Sequence, residues 1–226
     1  MTRRPTGWTV GAGALAVLVG NLVPLAGVRY WGWSLAALLV VYWLESGVVG
    51  LLTVPRIGLA GVDRPLRPAL AALRAGETPG HSDAGFFVLH YGIFWVVHGV
   101  FVVVLVAGAV EELPFDGLGV PSPSVVAVGA LGLLGAHLGP FLAGYLADGG
   151  YRRTTPDREF LPPYARVVAL HLTIVLGAVA LAFVGTPLVL LVLLVVFKTV
   201  GELALLAWEE RRRRPAVRAG GGTSGV

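Results

Sequence analysis

The residues of this sequence whose types suit chemistry are histidines and acids placed inside long apolar runs. His90 and His98 share one uninterrupted run, 84–110. On a helix, eight residues separate two side chains by about 80° in direction and about 12 Å in height. The other runs contain Glu45, His137 and His171. A histidine or acid in hydrocarbon is costly unless it faces protein, water or an ion, so these side chains are expected to point into a helical bundle.

Neutral imidazoles with a carboxylate form a ligand set that suits a divalent transition metal such as zinc. The predicted ligands are Glu45, His90, His98, His137 and His171. The residues predicted to surround and position them are Tyr42, Tyr91, Lys198 and Glu202. If the protein is an enzyme, metal-activated water attacking a lipid-like or amide bond near the cytoplasmic leaflet is the expected chemistry. The sequence identifies no catalytic residue.

Three other interpretations of the same residues stay open. The histidines and acids are also suited to relaying protons or ions through a transporter. A purely structural role, with each polar group hydrogen bonding between helices, is the second alternative. Lys198 and Glu202 are four residues apart and can neutralise each other on one helix face. One haem held by two histidines is a further option, which ranks below a bare metal ion.

Composition places the chain in a membrane. Of its 226 residues, 56% are hydrophobic and 13% charged, and the mean hydropathy is +0.79, which is typical of a multi-span membrane protein rather than a soluble domain. The absence of cysteine excludes disulfides, thiolate metal sites and cysteine nucleophiles. The sequence pI is about 9.8, but the basic residues lie in loops and the tail, which favours contact with anionic lipid headgroups over nucleic acid.

The elements that must position these residues are six predicted spans in an all-α transmembrane bundle. The spans are 8–28, 31–54, 84–110, 124–147, 164–184 and 188–208. They form one domain, 1–210, followed by a basic and then disordered tail, 211–226. A short amphipathic helix is expected at 65–75, between the second and third spans, in the headgroup region.

The arginines predict the orientation. The two termini and the second and fourth loops hold 15 of the 17 Lys and Arg residues, so both termini are predicted to be cytoplasmic, in a plasma-membrane protein. At 1.5 Å per residue, most of the intramembrane polar residues then fall between the cytoplasmic interface and the midplane. The predicted site therefore lies in the cytoplasmic half of the bundle. The oligomeric state and the substrate are not predicted.

Four stretches resemble a family of multi-pass prokaryotic membrane proteins catalogued as domain of unknown function 6498. They are Tyr42-Trp43-Leu44-Glu45, the run from Phe86 to Phe94 with His98-Gly99, Pro163-Tyr164-Ala165-Arg166 with His171, and Lys198-Thr199-Val200-Gly201-Glu202. Glu202 stands where the family pattern has Asp. The resemblance implies a helical membrane protein and no known activity.

Overall fold

The computed structural model describes residues 7–110, 119–184 and 188–213, where all regular structure is helical. The helices are α1 (Gly7–Tyr30), α2 (Leu35–Leu59), α3 (Leu66–Arg74), α4 (His81–Val110), α5 (Pro123–Pro140), α6 (Pro156–Phe160), α7 (Pro162–Val184) and α8 (Leu188–Arg213). A π-helical segment, Phe141–Ala147, continues α5, and a 3₁₀ helix, Gly150–Arg153, precedes α6. The all-α prediction is confirmed for these residues. The predicted disordered tail lies outside them from residue 214 onward.

Three of the described helices are long and apolar enough to cross a membrane, judged by length and composition. They are Leu35–Leu59, His81–Ala107 and Pro123–Ala147. Each overlaps one predicted span. The remaining long helices, α1, α7 and α8, overlap the other three spans.

Helix α2 is central to the fold. Of the apolar 18-residue stretch of α2, 56% is buried inside the protein. The corresponding share is 22% in α4 and 6% in α5 with its π-helical continuation. α4 and α5 pack along α2, whereas α1 and α7 pack along α8. α2 begins at Leu35 because the Ser34 hydroxyl accepts a hydrogen bond of 3.0 Å from the Ala37 N–H, which satisfies one of the free amides of the first turn.

The C-terminal end of α2 differs from the predicted span. Pro55 and Arg56 are expected to end that span at residue 54, but the helix continues through Pro55 to Leu59. Ile57 and Leu59 are fully buried, each in an apolar cluster. Burial of these side chains stabilises the last turn more than the missing proline N–H weakens it.

The amphipathic helix predicted at 65–75 is present as α3. Its leucines, Leu66, Leu70 and Leu73, pack against a cluster that includes Leu59, Tyr145 and Tyr151. Arg67 and Arg74 are exposed on the other side. The apolar face of α3 is thus covered by protein, and the helix closes one end of the bundle.

A pair of tryptophans joins α2 to α4 symmetrically. The Trp43 and Trp95 rings stack with centroids 4.6 Å apart and planes 8° from parallel. Each indole N–H donates to the backbone carbonyl of the other tryptophan, at 3.0 and 3.1 Å. Each ring also covers a glycine of the opposite helix, Trp43 on Gly99 and Trp95 on Gly47. In each helix the glycine follows the tryptophan by four residues, a correspondence that the sequence analysis does not identify.

Apolar clusters lie on both sides of the middle of α2. One contains Leu39 with Val102 of α4 and Leu191 of α8. The other contains Ile57 with Phe87 of α4 and Val167 of α7. Glu45 lies between them, about 9 Å along the helix axis from Leu39 and about 18 Å from Ile57. Polar groups at this level are therefore enclosed from both ends of the helix.

The tryptophan pair predicts a difference between two glycines of α4. A Cβ at Gly99 would lie 2.7 Å from Trp43 Cζ2, whereas a Cβ at Gly92 meets no atom within 4 Å. We expect Gly99→Ala to destabilise the protein by about 1–3 kcal/mol through overpacking. We expect Gly92→Ala, the control, to be neutral or stabilising by about 0.5–1 kcal/mol. Thermal unfolding in detergent measures the stability of both variants, and equal effects would contradict the packing of Trp43 on Gly99.

Candidate functional site

Glu45 is the centre of a buried polar group. Its side chain is 6% exposed and lies within α2, at the level between the two apolar clusters. Lys198 of α8 donates from Nζ to Glu45 Oε2 in a close ion pair. His137 of α5 donates from Nε2 to Glu45 Oε1 at 3.3 Å. We call Glu45, Lys198 and His137 the Glu45 centre.

The contacts continue from Lys198 to one further helix, α1. The Lys198 ammonium lies 4.4 Å from the centre of the Tyr42 ring, where a cation–π attraction applies. It also lies 3.7 Å from Glu202 Oε1, one turn further along α8. Asn21 of α1 donates from Nδ2 to Glu202 Oε2 at 2.8 Å. The polar chain therefore runs from α1 through α8 and α2 to α5.

When His137 is neutral, the negative and positive charges of this polar chain are unequal in number. In the ion pairs that the structure describes, two carboxylates, Glu45 and Glu202, face one ammonium, Lys198. Because His137 donates from Nε2, an additional proton on this ring goes to Nδ1 and makes the chain neutral. A net charge is costly in an apolar interior, so the arrangement favours one further cation at this position.

A second polar contact joins α4 to α7. His98 Nε2 lies 3.1 Å from His171 Nδ1, and the two rings are nearly perpendicular. The other ring nitrogen of His98, Nδ1, lies 2.6 Å from the Phe94 carbonyl oxygen. His98 is buried and His171 is exposed on the surface of the described chain. We call His98 and His171 the imidazole pair.

His90 forms a third and separate contact. Its Nδ1 lies 2.7 Å from the Tyr164 hydroxyl of α7, and its ring stacks on Phe86 at 5.3 Å. The His90 side chain is exposed on the outer face of α4, so the prediction that it points into the bundle is wrong. His90 and His98 therefore bond to different residues of α7, two turns apart.

Membership of a family is established by sequence. DUF6498, a family of unknown function, matches residues 7–219, which include the Glu45 centre, the imidazole pair and His90. The chain belongs to DUF6498. The resemblance stated from the motifs is thereby confirmed. Comparisons with curated proteins and with solved structures give no match.

In this DUF6498 chain the five residues predicted as metal ligands are divided among three places. Glu45 pairs with His137, His98 with His171, and His90 with Tyr164. Among the residues that the structure describes, no three histidines or acids lie close enough together to hold one metal ion. The geometry therefore does not support the predicted shared metal site. Depth along the bundle does not determine the direction in which each side chain points.

The residues predicted to support the site are also divided. Tyr42, Lys198 and Glu202 lie at or beside the Glu45 centre. Tyr91 does not, because its hydroxyl donates to the Ser46 carbonyl at 2.8 Å and its ring covers Gly50. Tyr91 therefore strengthens the contact between α2 and α4.

Two residues of these contacts are missed by the sequence reasoning. Asn21 lies within the first predicted span and is not among the predicted site residues, although it is the sole side-chain amide in the sequence. That rarity within an apolar run is the signal that points to a buried partner. Tyr164 lies at a predicted span boundary, where an aromatic residue is ordinary, and its place in the Pro163-Tyr164-Ala165-Arg166 stretch is the sequence signal that points to it.

The Glu45 centre predicts a strong effect of removing its cation. We expect Lys198→Met to reduce the free energy of unfolding by about 3–5 kcal/mol, because Glu45 stays buried without its ion-pair partner. The double variant Glu45→Gln/Lys198→Met removes both charges and should recover part of that loss. Denaturant unfolding of the detergent-purified protein measures both variants.

The matched control is Glu159→Gln, which breaks a more exposed ion pair with Arg56 at 3.4 Å. Its expected cost is about 0–1 kcal/mol. If Lys198→Met costs no more than Glu159→Gln, or if the double variant is less stable than the single one, the Glu45–Lys198 pair does not carry this stability.

Proposed function

We propose that this DUF6498 chain is a proton- or ion-coupled membrane transporter in which the Glu45 centre binds the coupling proton. The proposal depends on one observation, namely that the carboxylates and the cations of the polar chain are unequal in number. A single ion pair would suffice to tie two helices together. Here, among the ion pairs of the described residues, Glu45 and Glu202 share one ammonium, and His137 contacts Glu45. This set accepts one proton with a change of net charge from −1 to 0, counted with His137 neutral at the start.

The exposed fractions of the side chains along this polar chain support the same proposal. The Glu45 side chain is 6% exposed and Lys198 is 15% exposed, whereas Glu202 and His137 are 20% and 23% exposed. The most enclosed carboxylate thus has more accessible groups on both sides. A proton that reaches His137 Nδ1 strengthens the Nε2–H bond to Glu45, since the donor is then an imidazolium. Protonation of the more exposed His137 thereby changes the hydrogen bond to the enclosed Glu45.

The proposal places the six long helices across the plasma membrane with both termini in the cytoplasm. The distribution of arginines supports this orientation, because 15 of the 17 Lys and Arg residues lie at the termini and in two of the loops. The end of the bundle that α3 closes is then the cytoplasmic end. Arg67 and Arg74, which are exposed on α3, face the anionic headgroups or the cytosol there.

Two other functions make different predictions for the same residues. A metal-dependent hydrolase requires a stoichiometric metal in the purified protein, lost when Glu45 or His98 is changed. A purely structural role requires that substitutions in the Glu45 centre alter stability alone. The transport proposal requires movement of charge that depends on Glu45 and pH.

Charge movement tests the proposal without a known substrate. Purified protein in proteoliposomes on a solid-supported electrode is exposed to pH jumps, and separately to Na⁺ and K⁺ jumps. We expect a transient current on the pH jump, because the Glu45 centre binds a proton within the membrane field. Glu45→Gln abolishes the current and His137→Gln reduces it.

Glu77→Gln is the control, since Glu77 is exposed and lies between α3 and α4. It should leave the current unchanged. Monodisperse elution of each variant shows that it is folded. A wild type that gives no current with any of the cations, or a Glu45→Gln variant with the full current, overturns the proposal. Metal analysis of the same preparations tests the hydrolase.

The orientation has its own test, because the chain has no cysteine. Single cysteines at Ser122 and Glu77, both exposed positions, report the side of the membrane on which each loop lies. We expect Ser122→Cys to react with a membrane-impermeant maleimide in intact cells. Glu77→Cys should react only after lysis, because its loop is cytoplasmic in the proposal. The reverse pattern would place the termini outside.

A further inference from the structure

Hydrogen-bond chemistry fixes the proton positions in the imidazole pair. A carbonyl oxygen only accepts hydrogen bonds, so His98 Nδ1, at 2.6 Å from the Phe94 oxygen, carries a hydrogen. In a neutral His98 ring, Nε2 is then the acceptor. His171 must therefore donate to it from Nδ1 across the 3.1 Å contact. This leaves His171 Nε2 as the basic nitrogen of the pair.

The pair can bind one proton without losing its hydrogen bond. The added proton attaches to His171 Nε2, on the exposed ring, and makes His171 an imidazolium that still donates from Nδ1. The Nδ1 proton can then move to His98 Nε2, which leaves His171 neutral with its hydrogen on Nε2 and makes His98 the imidazolium. Both arrangements keep one N–H···N bond between the rings. A second proton would place two N–H groups face to face and break it.

Helix α2 separates this pair from the Glu45 centre. Trp43 and Glu45 are two residues apart on α2, so their side chains point about 160° away from each other. Trp43 packs on Gly99 of α4, next to His98. Glu45 consequently points away from α4, toward Lys198 and His137.

The titratable side chains that the structure describes on the helices around the pair are bonded elsewhere. On α2, Glu45 contacts His137 and Lys198, and Tyr42 lies beside Lys198. On α7, Tyr164 bonds to His90. On α8, Lys198 and Glu202 lie together. Among the contacts of the described residues, His171 is thus the titratable partner of His98.

We propose that His98 and His171 form a one-proton relay between α4 and α7, separate from the Glu45 centre. The proton binds at His171 Nε2, and the hydrogen bond between the rings shares it with the buried His98 ring. The ligand of this site is a proton, and the site ties the two helices together in its empty and its occupied states. This inference stands whether or not the Glu45 centre supports transport.

A scalar coupling between nitrogens tests the relay directly. The protein is labelled with ¹⁵N-histidine, which gives five residues to assign. The variants His81→Gln, His90→Gln and His137→Gln assign three of them without touching the pair. We expect a ¹⁵N–¹⁵N coupling through the hydrogen bond between His98 Nε2 and His171 Nδ1, both in the neutral form and after one proton has been bound.

His81 supplies the reference resonances, because it is exposed at the first residue of α4 and lies outside the pair. As His81 becomes fully protonated, the pair should take up one proton in total rather than two. Glu45→Gln should keep the coupling, which distinguishes this site from the Glu45 centre. Two resolved ring resonances with no coupling, two protons bound in parallel with His81, or loss of the coupling in a folded Glu45→Gln variant would each overturn the inference.

Discussion

The constraint on which the rest of the fold depends is the burial of Glu45 within an apolar helix. A carboxylate there needs a cation and further hydrogen-bond donors, which Lys198 of α8 and His137 of α5 supply. This fixes the rotation of α2, so that one face of the helix points toward α8 and α5. Trp43, about 160° around the helix from Glu45, then points toward α4. The tryptophan pair and the ion pair are in this way two consequences of one helix orientation.

The helices around α2 are joined by two kinds of contact that respond differently to protons. α2 and α4 are joined by shape, through stacked indoles that cover glycines and donate to carbonyls. α2 and α8 are joined at the centre by ionised groups, and α4 and α7 by imidazoles. The tryptophan contact between α2 and α4 thus contains no titratable group, whereas the contact between α2 and α8 and the contact between α4 and α7 do.

Hydropathy alone predicts the long helices well, because each of them contains a continuous apolar stretch. The errors fall where tertiary packing overrides a local signal, as at Pro55, where buried Ile57 and Leu59 carry α2 further. The predicted residues are in part brought together, since Tyr42, Lys198 and Glu202 lie around Glu45. The partners of the histidines were not predictable. Spacing gives the positions of His90 and His98 along the helix axis. It does not give the rotation of α4 about that axis, which decides that His90 bonds to Tyr164 and His98 to His171.

The difference between a metal centre and the observed arrangement is a difference in the number of converging donors. A transition-metal site needs three or four ligand atoms around one point. Here each imidazole nitrogen that points inward has a single partner, at 3.3 Å for His137 and 3.1 Å for His98. Each of these contacts places one hydrogen between a donor and an acceptor. Histidines and an acid at similar depth but on separate helix faces therefore pair two by two and do not enclose one metal ion.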